Sequence, residues 1–213
     1  MKNTRAAAML AALLCGVGAL LTPCGATGQT SAEIMRRMSA LNPKLRAYTA
    51  RVHVNVALRT FPYISPSLDG KYYHKEPNKD ALIFATVPAL AKQFNKVYPR
   101  IESASRWNRV YFVSLASNSD ATAVFKLVPR VHGRIDHIDA KVDLLTATVL
   151  QMTWYYNDGG YAELNQQYTQ IHGNYVPSHQ TGHVELPAYK ADVDSSFSNF
   201  ILNPKISDSV FKQ

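Results

Sequence analysis

The sequence predicts an α+β protein that consists mainly of antiparallel β-strands in a curved sheet, with two helices covering one face. Apolar and polar residues alternate along many short segments, which is typical of strands with one covered and one solvated face. Two segments have helical periodicity, and turn residues separate the alternating runs. The composition, 46% hydrophobic and 18% charged over 213 residues, is that of a globular protein and excludes disorder, collagen and a coiled coil.

The N-terminal sequence predicts export. Lys2 and Arg5 precede an uncharged apolar stretch from Ala6 to Leu21, and small residues follow it. This order is typical of a signal peptide, and the stretch is short for a membrane-spanning helix. We expect cleavage near Ala26 and a location in the periplasm or outside the cell.

We expect the signal peptide to occupy residues 1–26 and a single domain to occupy residues 27–213. Both cysteines, Cys15 and Cys24, lie in the signal peptide, so the processed chain would have no disulfide, thiolate metal site or catalytic thiol. Two alternatives stay open. The N-terminus could remain as an uncleaved anchor, or the protein could be a lipoprotein anchored at Cys24.

The chain is basic but has no basic tract. It has 23 Lys and Arg residues against 15 Asp and Glu, a net charge of +8, and the basic residues are scattered. Such a distribution does not indicate nucleic acid as a partner. It would assist docking on an anionic membrane surface.

The first helix is predicted by a capping box at Thr30 and Glu33, in which each side chain bonds the other residue's amide. Apolar residues recur with helical spacing over residues 34–41, and Asn42-Pro43 ends the helix. The helix should therefore lie on an apolar surface.

A second helix is predicted to begin at Pro88, because proline suits the first helical turn. Its apolar face comprises Leu90, Phe94 and Val97. We expect this helix to act as a lid.

The clearest strand runs from Tyr48 to Leu58, with apolar residues at every second position. Two more strands, Leu68 to Lys75 and Asp80 to Thr86, are joined by a tight turn at residues 76–79.

The remaining sequence predicts an antiparallel meander. Hairpin turns are indicated at residues 157–160 and 172–174. The apolar faces of its strands are formed by Trp107, Tyr111, Val113, Leu115, Ala123, Phe125, Leu127, Ile138, Ala140, Val142, Leu150, Met152, Trp154, Tyr156, Val184, Leu186, Ala188, Val193, Phe197 and Ile201. The chain thus has about eight to eleven strands. A long sheet with so few helices must bend over its own apolar face, which tends to enclose an apolar cavity.

Three groups of polar residues could carry chemistry. They comprise His132, Asp136, His137 and Asp139; His172, His179 and His183; and Asp192 with Asp194. The first two sets contain potential metal ligands, and the third offers paired carboxylates for acid–base chemistry. The strong enzymatic motifs are absent, and a solvated strand face explains all three groups. We therefore expect no enzyme, no metal and no cofactor.

Two short motifs add to the order of these elements. Asn42-Pro43 ends the first helix, and a long strand then leads into a segment with a glycine before Lys-x-Pro-x-Lys. That segment contains Gly70, Lys75, Pro77 and Lys79. The chain closes with Asn203-Pro204 and a short apolar segment that ends at Phe211. In these features it resembles the LolA/LolB-like superfamily of periplasmic lipoprotein carriers.

The resemblance implies an unclosed antiparallel half-barrel, covered by helices, that holds acyl chains in a hydrophobic cavity during transit. It implies neither a cofactor nor catalysis. Lipoprotein carriers often have Arg before the proline of the turn, where this chain has Glu76. The acid reverses the local charge, so delivery to an outer-membrane receptor is not implied.

We expect an exported binding protein that carries or sequesters lipid or lipoprotein acyl chains and makes transient contact with a membrane or membrane protein. The predicted cavity lining comprises Val52, Val54, Val56, Phe84, Leu90, Phe94, Tyr111, Val113, Phe125, Met152 and Trp154. Any of these residues could instead be ordinary core. The alternative function is an envelope protein-interaction or stress-sensing module with the same fold.

Overall fold

The structure is a computed structural model that describes residues 29–61, 63–85 and 102–212. The predicted signal peptide and the predicted lid helix with Leu90, Phe94 and Val97 lie outside these residues. In the described ranges, no helix is long and apolar enough to cross a membrane.

The described chain contains a few short helical segments and ten strands. The helical segments are α1 (Ser31–Ser39), a 3-10 turn (Ala104–Arg106) that leads into α2 (Trp107–Val110), and a C-terminal 3-10 helix (Asp208–Lys212). The strands are β1 (Ala47–Leu58), β2 (Ser67–Lys75), β3 (Lys79–Phe84), β4 (Tyr111–Asn118), β5 (Thr122–Pro129), β6 (Ile135–Asp143), β7 (Val149–Tyr156), β8 (Tyr161–Ile171), β9 (Asn174–Glu185) and β10 (Lys190–Leu202).

All ten strands belong to one antiparallel sheet, in the order β3-β2-β1-β10-β9-β8-β7-β6-β5-β4. Strands β3 and β4 form the two edges, so the sheet is not closed. The predicted α+β class and unclosed half-barrel are confirmed. Consecutive strands are neighbours except for β3 and β4, which lie at opposite edges, and β10 returns to lie beside β1.

Alternation along β1 defines the two faces of the sheet. Val52, Val54 and Val56 are buried, whereas Arg51 and Asn55 are exposed. We call the side with the three valines the inner face and the opposite side the outer face. Cross-strand partners share a face, so the register extends this assignment to the neighbouring strands.

Helix α1 forms where the capping sequence predicts it, but half of the capping box is replaced. Thr30 Oγ1 accepts a hydrogen bond of 3.2 Å from the Glu33 amide. The Glu33 carboxylate does not reach back to Thr30 but takes a bidentate contact from Arg36, with distances of 3.0 and 2.8 Å. A guanidinium one turn later binds this carboxylate more strongly than a neutral amide does.

The buried apolar residues form three clusters. The main core joins α1 to α2 and to β4–β10, and its members include Ile34, Met35, Met38, Trp107, Tyr111, Phe125, Leu127, Ile138, Met152 and Trp154. The valine cluster comprises Val52, Val54, Val56 and Leu68. The tyrosine cluster comprises Leu45, Tyr48 and Val176, with Tyr72, Ile171, Phe200 and Leu202 packed against it.

Trp107 was predicted to belong to a strand with Tyr111, and this prediction is wrong. Trp107 begins α2, and β4 begins only at Tyr111. The helical turn lets the indole enter the main core, where it is fully buried and lies edge-on to Phe125. Its Nε1 donates a hydrogen bond of 2.9 Å to the Glu102 carbonyl, which satisfies the buried N–H.

Ile201 was predicted to share a face with Val193 and Phe197, and this is also wrong. Asn199 has a left-handed backbone (φ 53°), and the β1–β10 register shifts at the corresponding point of β1. The extra residue reverses the alternation, so Phe200 packs inward against Tyr48 and Ile201 is 56% exposed. Similarly, Ala188 lies in the turn between β9 and β10 rather than in a strand.

The two Asn-Pro sequences have the same structural role. Asn42 and Asn203 both adopt left-handed backbones (φ 56° and 52°), which asparagine tolerates. The Asn42 side chain exchanges two hydrogen bonds with the backbone of Tyr175, at 2.7 and 2.8 Å. The Asn203 Oδ1 accepts the amide of Arg46 at 2.7 Å, across 157 positions of sequence. Each asparagine thus fastens one end of a strand to a distant segment.

Asp208 connects two motifs that are far apart in the sequence, the Lys-x-Pro-x-Lys segment and the C-terminal segment that follows Asn203-Pro204. Lys75 and Lys79, on either side of the β2–β3 turn, contact its two carboxylate oxygens at 2.7 and 3.0 Å. Hydrogen bonds from these lysines, together with their positive charges, lower the pKa of Asp208 to about 2. The Lys-x-Pro-x-Lys segment therefore holds the C-terminal 3-10 helix against the β2–β3 hairpin.

Gly70 allows the edge of the sheet to pack closely. It faces Phe84 in β3 and Val52 in β1 on the inner face. A Cβ atom at this position would lie 2.8 Å from the Ile83 carbonyl oxygen and 2.9 Å from the Phe84 ring. The missing side chain therefore leaves the room that the Phe84 ring occupies.

We expect Gly70→Ala to destabilise the protein by about 1–3 kcal/mol, because the added methyl group meets a backbone oxygen that cannot move aside. Chemical denaturation would measure the change. The matched control is Gly133→Ala, where an added Cβ has no neighbour within 4 Å. Equal stability of the two variants would contradict this explanation.

We expect Asp208→Asn to loosen the C-terminal helix, because the amide cannot replace the charge that both lysines bind. Hydrogen exchange of residues 205–212 should accelerate, with Asp136→Asn, which removes an exposed carboxylate paired with His137, as the control. The folded-state pKa of Asp208 is lowered, so its contribution should be present above about pH 4 and lost as the pH falls towards 2. Unchanged exchange in the variant would contradict the proposed clamp.

Candidate functional site

The eleven predicted lining residues do not form one surface. Val52, Val54, Val56 and Phe84 lie together in and around the valine cluster. Tyr111, Val113, Phe125, Met152 and Trp154 lie together in and around the main core. Leu90 and Phe94 lie outside the described residues. The predicted lining therefore divides into two separate apolar regions of the inner face, which differ in their packing.

The main core is filled by the protein itself. Trp107, Phe125 and Trp154 are at most 1% exposed, and the α1 residues Ile34 and Met38 are buried against the same cluster. Side chains from the helices thus occupy the space above β4–β8. Of the predicted residues in this region, Val113 borders a surface depression of about 500 Å3 between α1 and residues 104–108.

The valine cluster has a different environment. Its floor, made by Val52 and Val54 of β1, is buried. Around this floor lies a rim of partly buried apolar side chains, which comprises Tyr72, Leu82, Phe84, Val193 and Phe197. The rim spans β3, β2 and β10, from an edge of the sheet to its middle. Apolar surface is therefore present in this part of the inner face without being fully covered.

Gly182 lies next to this rim. It pairs with Val193 of β10 and Leu164 of β8 on the inner face. An added Cβ would approach Val193 at 3.4 Å, an ordinary van der Waals contact, so the backbone accepts a side chain here. The glycine therefore places no side chain between two apolar neighbours.

A row of uncharged polar residues crosses the inner face beside the valine cluster. This polar row consists of Ser195 in β10, Gln180 in β9 and Gln166 in β8, which are register neighbours. Ser195 also pairs with Val54 of β1. Ser195 and Gln166 are buried, and Gln180 is half-buried. Gln166 was not among the predicted site residues, although the alternation from Ala162 through Leu164 to Gln166 is a sequence signal that places it inward.

The tyrosine cluster holds a small polar group at one end of the sheet. The Tyr72 hydroxyl donates to Asp80 at 2.5 Å, and His74 Nδ1 lies 2.8 Å from the same carboxylate oxygen. Burial raises the pKa of both Tyr48 and Tyr72 well above the ordinary value. Burial alone would lower the pKa of His74, but Asp80 and Glu76 outweigh it, so the pKa is raised. Glu76 thus faces a histidine in this chain.

The outer face carries a polar groove of about 510 Å3 across β1, β10, β9 and β8. Its polar lining comprises Asn55, Ser65, Asn165, Thr181, His183, Asp192 and Asp194. Asp192 accepts contacts from Arg59 at 3.0 Å and from His183 at 2.6 Å. Asp194 is bound by His179 at 2.8 Å. The two carboxylates suggested for acid–base chemistry are therefore each engaged by a basic partner on the outer face.

The histidine sets are dispersed in the same way. His179 and His183 each pair with an aspartate, and His137 stacks on Tyr155 while it contacts Asp136. Among the described residues, no three His, Cys, Asp or Glu side chains are grouped closely enough to hold a metal ion. These residues tie neighbouring strands together along the outer face.

Comparison with known proteins finds similarity at the level of structure. No protein-family model and no curated protein sequence matches the chain. A LolA superfamily protein from Nitrosomonas europaea superposes with a TM-score of 0.61 at 11% identity, over 87% of this chain and 98% of that one. A putative outer membrane lipoprotein-sorting protein domain from Vibrio parahaemolyticus superposes with a TM-score of 0.62 at 13% identity, over 84% and 94%.

A DUF1329 family protein from Desulfovibrio piger gives a TM-score of 0.56 at 14% identity, over 84% of this chain and 94% of that one. The three structures cover nearly the full length of their own chains, so the likeness extends over the whole half-barrel. At these identities the likeness concerns the fold. The chain therefore has a LolA-like fold, as its sequence predicted.

Proposed function

We propose that this protein is an exported, non-enzymatic binding protein that holds the acyl chains of a lipid or an acylated lipoprotein on the inner face of its sheet. The observation that carries the proposal is the partly covered apolar rim around the valine cluster, beside the open β3 edge of a LolA-like sheet. A structural neighbour described as a putative outer membrane lipoprotein-sorting protein domain supports the same class of cargo.

The energetics favour this region over the main core. A chain that covers the rim gains about 0.8 kcal/mol for each buried methylene. The main core offers no comparable gain, because Trp107, Phe125 and Trp154 already fill it. We therefore assign Val52, Val54, Val56 and Phe84 to the proposed binding surface and the predicted residues of the main core to structural packing.

The proposed location is the periplasm, after signal-peptide cleavage near Ala26. A carrier of this kind must meet a membrane or a membrane protein when it takes up and releases its cargo. The net charge of +8 would attract the protein to an anionic bilayer, an effect that salt weakens.

Native mass spectrometry of the processed protein, purified from its own envelope fraction, should show a stoichiometric lipid or acylated peptide. The mass of the protein should correspond to a chain that begins near Thr27. Extraction and fragmentation would then identify the cargo. A bare protein that also failed to take up added lipid would contradict the proposal and favour a protein-interaction module.

Gly182→Val should weaken acyl-chain binding and leave the fold intact. The new side chain would extend from the inner face between Leu164 and Val193, and a β-branched residue suits a strand. It displaces about two ligand methylenes, so affinity should fall by roughly tenfold. Gly133→Val adds the same side chain in an open turn and is the matched control. The affinities of both variants would be measured with a fluorescent fatty-acid probe, together with their melting temperatures. Equal affinities at unchanged melting temperature would contradict acyl-chain binding at this surface.

A further inference from the structure

The outer face of β1, β2 and β3 carries a basic patch that the proposed binding surface does not use. The patch consists of Arg51 in β1, Lys71 and Lys75 in β2, and Lys79 in β3. Arg51 lies directly opposite Lys71, and Lys75 lies directly opposite Lys79. Like charges that face each other on neighbouring strands are destabilising. Each pair therefore costs stability unless an anion binds it.

The chain itself supplies an anion to one of the two pairs. Asp208 contacts both Lys75 and Lys79, at 2.7 and 3.0 Å. In the part of the chain that the structure describes, no carboxylate forms an ion pair with Arg51 or Lys71, and both residues are exposed. The acid on the same face two positions before Lys71 is Asp69, which contacts His53 at 3.0 Å. The pair of Arg51 and Lys71 is thus the open pair of the patch.

A tyrosine and an exposed aliphatic side chain lie beside the open pair. The Lys71 Nζ is 5.3 Å from the centre of the Tyr73 ring, which is next along the outer face of β2. Thr49 of β1 pairs with Tyr73 on one side and with Ile201 on the other. Ile201 is exposed because of the irregularity at Asn199. The patch thus combines positive charge with side chains that suit the boundary between water and an apolar phase.

The opposite end of the same strands has no comparable open charge. Arg59, which follows β1, contacts Glu185 at 2.9 Å and Asp192 at 3.0 Å. Lys190, at the start of β10, also contacts Glu185. By contrast, Arg46 precedes β1 and is exposed, and within the described ranges it forms no ion pair. Open positive charge is therefore concentrated towards the end of the sheet at which β1 begins.

We propose that the basic patch docks the protein on an anionic phospholipid surface, where Arg51 and Lys71 bind headgroup phosphates. The inference rests on the proposed function, because a carrier of acyl chains must meet a membrane. Basic residues close to an anionic bilayer are attracted to it, and tyrosine is enriched at the depth of the headgroups. Tyr73 and Ile201 would lie at that depth when the open pair contacts the phosphates.

The position of the patch favours a lipid surface over an acidic protein as its partner. Residues alternate along β2, so Tyr72 of the apolar rim lies between Lys71 and Tyr73 of the docking surface. Strand β3 is an edge of the sheet, and its Leu82 and Phe84 also belong to the rim. Docking through the patch would therefore bring this edge close to the bilayer. An acyl chain would then pass around one strand to reach the rim.

The test is co-sedimentation of the processed protein with vesicles made of equal parts phosphatidylglycerol and phosphatidylcholine. Vesicles of phosphatidylcholine alone are the neutral reference. We expect the protein to bind the anionic vesicles, to bind them less as salt is added, and to bind the neutral vesicles much more weakly. Anionic vesicles that bind no better than neutral ones would overturn the inference and direct attention to an acidic protein as the partner.

Arg51→Gln combined with Lys71→Gln should lower the affinity for the anionic vesicles by roughly tenfold or more. Lys126→Gln combined with Lys141→Gln is the matched control, because it removes the same charge from exposed outer positions of β5 and β6. The control should lower the affinity by about twofold at most, since the charges lie far from the patch and are screened. Equal losses in the two double variants would overturn the inference.

Two further measurements keep this test independent of folding and of the proposed function. The melting temperature of the Arg51 and Lys71 double variant should be unchanged or higher, because the two side chains repel each other. A fluorescent fatty-acid probe, titrated without vesicles, reports acyl-chain binding alone. Probe binding without vesicle binding would reject the docking surface only. Vesicle binding without probe binding would contradict the proposed function and leave the docking surface standing.

Discussion

The pairing of β1 with β10 is the interaction on which the rest of the structure depends. It joins the three N-terminal strands to the seven-strand meander in one sheet. The valine cluster meets part of its rim across this junction, because Val52 and Val56 lie on β1 and their partners Phe197 and Val193 lie on β10. Asn203 and Asp208 reinforce the junction, since each connects the end of the chain to the first strands.

The two sides of this junction differ in how their apolar surface is covered. Over β4–β8 the helices supply large side chains, and the interior is packed as in an ordinary globular core. Over β1–β3 and β10 the apolar rim is only partly covered. A sheet that is stable through one half of its inner face can leave the other half available to a ligand. The outer face carries ion pairs such as Asp192 with Arg59, which hold neighbouring strands together.

The sequence predicts the elements better than it predicts their arrangement. Alternation identifies the strands and the inward residues of each, because a residue's face depends only on its position within its own strand. Alternation does not reveal that β10 pairs with β1. For this reason the predicted cavity lining combines residues that the structure places in two regions, the main core and the valine cluster. The inward position of Gln166 follows from the same alternation, but its hydrogen-bond partners Val149 and Gln180 belong to other strands, which the pattern does not identify.

Local irregularities account for the remaining differences. A single left-handed residue, Asn199, moves Ile201 to the solvent side, and periodicity contains no sign of it. Trp107 enters the core through a helical turn that is too short to show a helical period. In contrast, the Asn-Pro and Lys-x-Pro-x-Lys motifs were visible in the sequence, and in the structure each makes specific contacts at an end of the sheet.

The position of β10 also has a consequence for the order of folding. Strand β1 pairs with a strand from the far end of the chain, so this contact has a large sequence separation. The entropy of closing the long loop is therefore lost before the pairing of β1 with β10 can stabilise the fold. The meander from β4 to β9 has only neighbouring pairs and can form first. The proposed acyl-binding surface would therefore be completed last. If the chain is exported unfolded, as proposed, this delay keeps the apolar inner face unassembled until the final strand has emerged.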